Sequence, residues 1–326
     1  MTYTQHYSVL KKECIETLTE VQEESRDKFF YADLTFGGGG HSFALFHQNV
    51  KNQLVCFDQD PDALNNGRNR IEKENASSRI DLVDSNFRNF PTYIKEKRQD
   101  IIEQGGFDGI LLDLGVSSHH FDKGERGFSF RSDAVLDMRM DVDNDDIMTA
   151  EYIVNNYSEI QLEKILREYG EEKFARRIAE RIVEQRAVEP IKTTKQLEDL
   201  IFHCYPKKMR YDGINPATKS FQALRIEVNQ ELQVLEELLD QVLPLLRVGG
   251  RLAIISFHSL EDRITKVAFK NMTDGSIPCE QLTKKPIVPT KEEILENSRS
   301  RSAKLRILER IERKKSKNKY EHLKGN

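Results

Sequence analysis

No run of this chain approaches the roughly 18–20 consecutive apolar residues that a membrane-spanning helix needs. The opening residues Met1-Thr2-Tyr3-Thr4-Gln5-His6 carry neither a basic flank nor an apolar stretch. Neither a membrane protein nor a signal peptide is expected, and the expected compartment is the cytoplasm. Cysteine is scarce: Cys14, Cys56, Cys204 and Cys279 lie far apart and form no Cys-x-x-Cys pair. That spacing speaks against a disulfide scaffold or a cysteine zinc site and for four reduced, mostly buried small hydrophobes. No metal site is expected elsewhere either, since the adjacent pair His119-His120 rarely points at one ion and no third ligand suggests itself. Internal repeats are also missing.

An excess of one charge is likewise lacking, with 38% hydrophobic and 32% charged residues and a net charge of −4. The distribution is nevertheless uneven. Residues 297–326 hold eleven Lys/Arg against three Glu, and residues 206–225 hold five Lys/Arg against one Asp. Residues 137–146 hold five Asp and one Arg and read as a solvated acidic turn. Local basic patches on a near-neutral protein suit a polyanion partner, although a solvated tail explains residues 297–326 as readily.

What is present is an alternation of apolar runs and helix-like segments. Runs at 29–34, 53–58, 80–84 and 107–113 read as strands, and Asp60-Pro61 reads as a helix start, Asp as cap and Pro at the first helical position. The alternation implies parallel strands with helical crossovers, a doubly wound Rossmann-like α/β sheet. From about 121 to 215 no convincing strand is seen; a helical run spans 160–185. Sheet character returns with a helix over 235–246, expected to stop at Gly249-Gly250, and a buried strand over 251–257. Residues 302–311 read as a late edge strand. The expected organisation is a discontinuous α/β domain (1–120 and 216–313), a helical insertion (121–215) and a basic flexible tail (314–326).

Open parallel sheets bind ligands at the carboxyl ends of their strands, and the suspicious polar residues fall there. The run Gly37-Gly38-Gly39-Gly40 follows the first strand and precedes a helix, so its backbone can approach a ligand closely. Asp58 ends the second strand nineteen positions after Gly39, the usual distance for a carboxylate that accepts from ribose hydroxyls. This much fits a nicotinamide dinucleotide or S-adenosylmethionine. Two features favour the methyl donor. Ser42 stands where a G-x-G-x-x-G pattern needs its third glycine, and Asp33 before the loop would repel a pyrophosphate but suits a cationic methionine end.

Several stretches match a known pattern: Thr35-Phe36-Gly37-Gly38-Gly39-Gly40-His41-Ser42, Phe107-Asp108-Gly109-Ile110-Leu111-Leu112-Asp113-Leu114-Gly115-Val116-Ser117-Ser118, Arg126-Gly127-Phe128-Ser129-Phe130, Leu136-Asp137-Met138-Arg139-Met140, Thr218-Lys219-Ser220-Phe221-Gln222-Ala223-Leu224-Arg225-Ile226 and Ile255-Ser256-Phe257-His258-Ser259-Leu260-Glu261-Asp262-Arg263. In this order, from about His6 to Ile311, the chain resembles the bacterial MraW/RsmH family of ribosomal small-subunit RNA cytidine N4-methyltransferases. The resemblance implies an S-adenosylmethionine cofactor, 16S rRNA within the small ribosomal subunit as partner, and the exocyclic amine of a decoding-region cytidine as target. It places donor contacts on Gly39, Gly40, His41, Asp58, Phe87, Asp113 and His120. Phe87 suits an apolar or stacking wall for adenine. His119-His120 departs from the family's usual Pro-Gln, which leaves that contact and the rigidity of the turn in question.

Methyl transfer is an in-line displacement, so alignment supplies much of the rate. The cytosine amine is a poor nucleophile, and an acceptor against its N–H bonds would stabilise the charge it develops. Asp113, at the end of the fourth strand, is the candidate catalytic residue, touching the donor, the amine or both. His258 follows the returning strand and is a candidate for the target pocket. Lys207, Lys208, Arg210, Lys219 and Arg225 are candidates for holding RNA, whose target base must be single-stranded or extruded. A nicotinamide-dependent oxidoreductase and a non-catalytic RNA-binding protein on the same fold are the rival expectations.

Overall fold

The structure, a computed structural model, describes residues 8–20, 22–23, 25–122, 124–211 and 213–313. Segment 314–326, expected as a flexible tail, lies outside the described residues. Seven strands form one sheet: β1 (Phe29–Asp33), β2 (Asn52–Asp58), β3 (Ile80–Asp84), β4 (Phe107–Asp113), β5 (Leu246–Ser256), β6 (Cys279–Gln281) and β7 (Lys304–Arg310). Their order is β3-β2-β1-β4-β5-β7-β6. Strands β1 to β5 pair in parallel, and β7 runs antiparallel to both β5 and β6. The strand order reverses at β1, so the crevice lies between the ends of β1 and β4. β1 to β4 all end in an aspartate.

The parallel strands read as continuous apolar runs because both faces are covered. Phe30, Ala32, Val55, Phe57, Ile110 and Leu112 point into one core, shared with Leu235, Leu238 and Phe269 of the helices Glu231–Val242 and Ser259–Thr273. Phe29, Tyr31, Leu54, Cys56 and Leu111 point into the other, under the helices Lys11–Thr19 and Gly40–Gln48. All four cysteines are buried and free. Asp60 caps the helix Pro61–Lys73 by accepting from Asp62 N–H. Among the described residues no helix is long and apolar enough to cross a membrane.

Three expectations about elements are corrected. Gly249-Gly250 does not stop a helix. The helix ends at Val242, a 3-10 turn over Leu243–Leu245 follows, and β5 begins at Leu246. Pro244, which has no N–H to donate, cannot continue the helix. Gly249 (φ +81) instead sits where the register against β4 shifts, a bulge that a left-handed glycine accommodates. The late strand, β7, is interior; the edge is β6, whose three residues are too short to show a pattern. The helical run over 160–185 is two helices, Glu159–Glu168 and Ala175–Val188, with Glu171 in the left-handed region (φ 48) between them.

A third core binds the helical region together, with Ile153, Leu162, Ile178, Leu197 and Ile201 wholly or almost wholly buried. This core also takes in Ala217, Phe221, Leu224 and Val228. The helix Thr218–Asn229 thus packs with the insertion, and the division expected between 215 and 216 falls inside that packing.

Candidate active site

The site is assembled by hydrogen bonds that tie the strand ends to one another. Asp113 N–H donates to Thr35 Oγ1 (2.7 Å), joining β4 to the loop after β1. Gly37 N–H donates to Asp58 Oδ2 (2.6 Å), and Asp60 N–H donates to Asp58 Oδ1 (2.9 Å). Asp58 therefore moulds the glycine loop as well as facing the crevice. Gly39 caps the helix Gly40–Gln48 with φ 71, and a Cβ there would stand 2.6 Å from the Phe36 ring. The odd Ser42 has its reason: its Oγ donates to Asp33 Oδ2 (2.5 Å), fixing the acid that ends β1.

Three buried acids line up along this edge. Burial pushes Asp33 up to about 6, against the hydrogen bonds from Ser42 and Thr35. Burial pushes Asp58 up to about 7, against the N–H groups of Asp60 and Gly37. Asp113 is raised well above the carboxylate range, by burial first and then by the charges of Asp33 and Glu261. The Asp113 side chain is 11% exposed. Its Oδ2 lies 3.6 Å from His41 Nδ1, and its buried Oδ1 has no hydrogen-bond partner among the described residues. His41 Nε2 in turn lies 3.0 Å from the Val9 carbonyl.

These groups open on a cavity of about 420 Å³, within the size range of small-molecule sites. Gly40, His41, Asp58, Phe87, Asp113, His120, Arg225 and His258 all line it, while Gly39 sits just behind the wall. The helical region adds the apolar Phe128, Phe130, Met140 and Phe221 to the lining, with Thr218, Gln222, Arg225 and Asn229 beside them. Ser8 and Val9 close the rim with Asn297, Arg299 and Ser302, and Leu10 N–H donates to Glu293 Oε1 across 283 positions.

The expected RNA-binding cations are not one surface. Arg225 is buried beside the cavity and donates twice to Glu231 (2.8 and 2.9 Å). Lys207 and Lys208 stand exposed on a 3-10 turn away from the cavity, next to the exposed Tyr211. Arg210 donates to the carbonyls of Tyr205 and His203 and lies over the Phe202 ring. Lys219 donates to the Glu171 carbonyl. Arg225 thus belongs to the cavity and the other four lie outside it; on the helix Thr218–Asn229 the step from Lys219 to Arg225 is a rotation of about 240° beyond one full turn, which turns the two side chains to different faces.

Over residues 3–311 the chain matches the model of the MraW methylase family. The chain belongs to the MraW methylase family. It is 44% identical to "Ribosomal RNA small subunit methyltransferase H" of Clostridioides difficile, over 94% of this chain and 99% of that one. Proteins of the same name from Sulfurihydrogenibium sp. and Sulfurihydrogenibium azorense are 45% and 43% identical over the same shares. This methyltransferase takes its methyl group from S-adenosylmethionine. The residues fit that cationic donor, since Asp113 lines the cavity, its Oδ1 lacks a partner among the described residues, and a nearby positive charge would favour its raised carboxyl as an anion.

His120 stands at the cavity of the methyltransferase with both ring nitrogens engaged. Its Nδ1 accepts from Ser117 N–H (3.2 Å), and its Nε2 lies 2.9 Å from Asp60 Oδ2. Burial, ahead of the opposing effect of Asp60, lowers its proton affinity. Metal-ligand side chains do meet among the described residues, at Glu231, His258 and Glu261, within 4.8 Å of one another. Their charges already have protein partners: Arg225 on Glu231, and His258 Nε2 3.0 Å from Glu261 Oε1. His258 also caps the helix Ser259–Thr273. Sequence reasoning missed Arg126, Met140 and Asn229. The first two stand in the quoted motifs, but nothing local shows what they touch.

Proposed function

We propose that this methyltransferase transfers a methyl group from S-adenosylmethionine to the N4 amine of a cytidine in the decoding region of 16S rRNA, in the cytoplasm. The relatives' shared name supports small-subunit rRNA as the substrate class, and the resemblance of the quoted motifs supports the amine. The single structural observation that carries the reading is Asp113: a buried carboxyl oxygen with no partner among the described residues, on a cavity also lined by Phe128, Phe130 and Phe221.

On this reading Gly40, His41, Asp58 and Phe87 hold the donor, with Asp58 accepting from ribose hydroxyls and Phe87 walling the adenine. Bound S-adenosylmethionine supplies an electrophilic methyl group. Asp113 Oδ1 accepts a hydrogen bond from the target amine, freeing its lone pair and stabilising the positive charge that develops there. The wall of Phe128, Phe130 and Phe221 receives an extruded base and keeps water out. Lys207 and Lys208 engage phosphates outside the cavity.

Mapping modified nucleosides in small-subunit RNA from cells lacking the protein tests this directly. Loss of an N4-methyl group from one decoding-region cytidine is expected, with restoration by the wild-type gene and not by Asp113→Asn. An unchanged modification map would overturn the assignment.

A further inference from the structure

Two of the motifs take no part in the donor site, yet the structure fastens them to it. Arg126 is about nine-tenths buried. Its Nη1 donates to Asp60 Oδ1 (2.7 Å), and its Nη2 donates to the carbonyls of Arg139 (2.9 Å) and Met140 (2.7 Å). From the other side Asn229 donates to the Met138 carbonyl and accepts from Met140 N–H, both at 2.8 Å. Four main-chain atoms of segment 138–140 are held in this way. Met138, wholly buried, has φ 63, a conformation an ordinary side chain keeps only where its surroundings over-determine it.

What the clamp presents is the side chain of Met140. It lines the cavity, and its sulfur accepts from Gln59 Nε2 (3.4 Å), in the loop between Asp58 and Asp60. Asp60 is the other end of the clamp. Burial alone would raise its pKa, but His120 and Arg126 bring it down to about 2, so it is ionised. Asp60 also bonds Asp58 through its N–H and lies against His120. One buried ion pair therefore connects two expected donor-contact residues with the wall contributed by the helical region. Buried ion pairs add little stability over apolar residues of the same volume, whereas the guanidinium fork fixes several acceptors in one plane.

We propose that Arg126 is a positioning residue for methyl transfer. It locks segment 138–140 to Asp60 and so sets the distance between the donor site and the acceptor wall. This rests on the methyl transfer to RNA argued above. Only the spacing is at stake, and small misplacements of reacting groups are costly in rate.

Arg126→Lys keeps the charge, but one ammonium on a shorter side chain cannot span acceptors that the guanidinium reaches from two separate nitrogens. At saturating donor and small-subunit RNA, its single-turnover rate is expected to fall on the order of ten- to a hundredfold. Its donor affinity by calorimetry should stay within about twofold, and the amides of Met138 and Met140 should exchange about tenfold faster. An unchanged rate in the folded variant overturns the proposal, as does a loss that saturating donor restores. Should that variant not fold, Asn229→Ala releases the same segment without touching the ion pair. The same pattern is expected, and a wild-type rate there also overturns the proposal. Amide exchange needs no substrate, so unchanged exchange refutes the clamp by itself. A wild-type protein that binds donor but methylates no small-subunit RNA refutes the functional reading instead.

Discussion

The strand ends and the joint between the sheet and the helical region treat buried charge in opposite ways. On the sheet side Asp33 and Asp58 lean on a hydroxyl and main-chain N–H groups, Asp113 has only a distant histidine, and all three bind protons more tightly than usual. At that joint burial also favours protonation, but Arg126 and His120 hold Asp60 down, and His258 and Arg225 hold Glu261 below its usual range. The first set is short of positive charge, which a cationic ligand would bring. The second has its cations within the protein and works as scaffold. Two groups of acids that burial affects in the same direction thus have different uses, and their partners tell them apart.

Asp113 offers the sharpest way to break this contrast. Asp113→Asn keeps shape and one acceptor but loses the charge, and a rate loss on the order of a hundredfold, about 2.7 kcal/mol, is expected. Its melting temperature should not fall, since an amide suits this desolvated position better than a carboxylate. Single-turnover kinetics at saturating donor check it. Full recovery there would move Asp113 from catalysis to donor binding. Asp58→Ala comes next, with donor affinity expected to fall by about 1.5–3 kcal/mol, the scale of a lost charged hydrogen bond. Calorimetry on the folded variant decides it, and unchanged affinity would remove Asp58 from the donor site.

The outer cations should separate from both. Replacing Lys207 and Lys208 by Ala should weaken RNA binding and lower its salt slope by up to about one unit per lost phosphate contact, with donor affinity the same. An unaltered slope would place the RNA surface elsewhere. The smallest effect is on stability. Asp33 at about 6 and Asp58 at about 7 hold more protons folded than unfolded, where carboxyls titrate near about 4. Between those values stability falls as pH rises, so the donor-free protein should melt higher at about pH 5.5 than at about pH 7.5. Below pH about 4 the sign reverses as Asp60, folded value about 2, takes up its proton. Melting scans across that range test the contrast, and a flat profile would mean that Asp33 and Asp58 are not strained acids.

Legibility in the sequence followed the range of the contacts involved. The strands from β1 to β4 are short apolar runs that each end in aspartate, so their ends, and with them Asp33, Asp58 and Asp113, could be read locally. The interior place of β7 could not, because edge and interior differ only in having a second neighbour, here a strand of three residues. Nor could the Arg126 clamp, which joins residues 66 and 91 positions apart. The cations read as one RNA surface because charge is visible in sequence, whereas the Glu231 that claims Arg225 is recognised only by its position in space.

The hydrogen bond from Leu10 to Glu293 has a bearing on the birth of the protein. At about 5–20 residues per second, the ribosome takes on the order of half a minute to pass from one partner to the other. For that interval the first strands can pair and the glycine loop can turn, but β5 lacks its antiparallel neighbour β7 and the rim lacks Asn297, Arg299 and Ser302. A nascent chain therefore carries the acids of the donor site long before it can enclose a ligand among them.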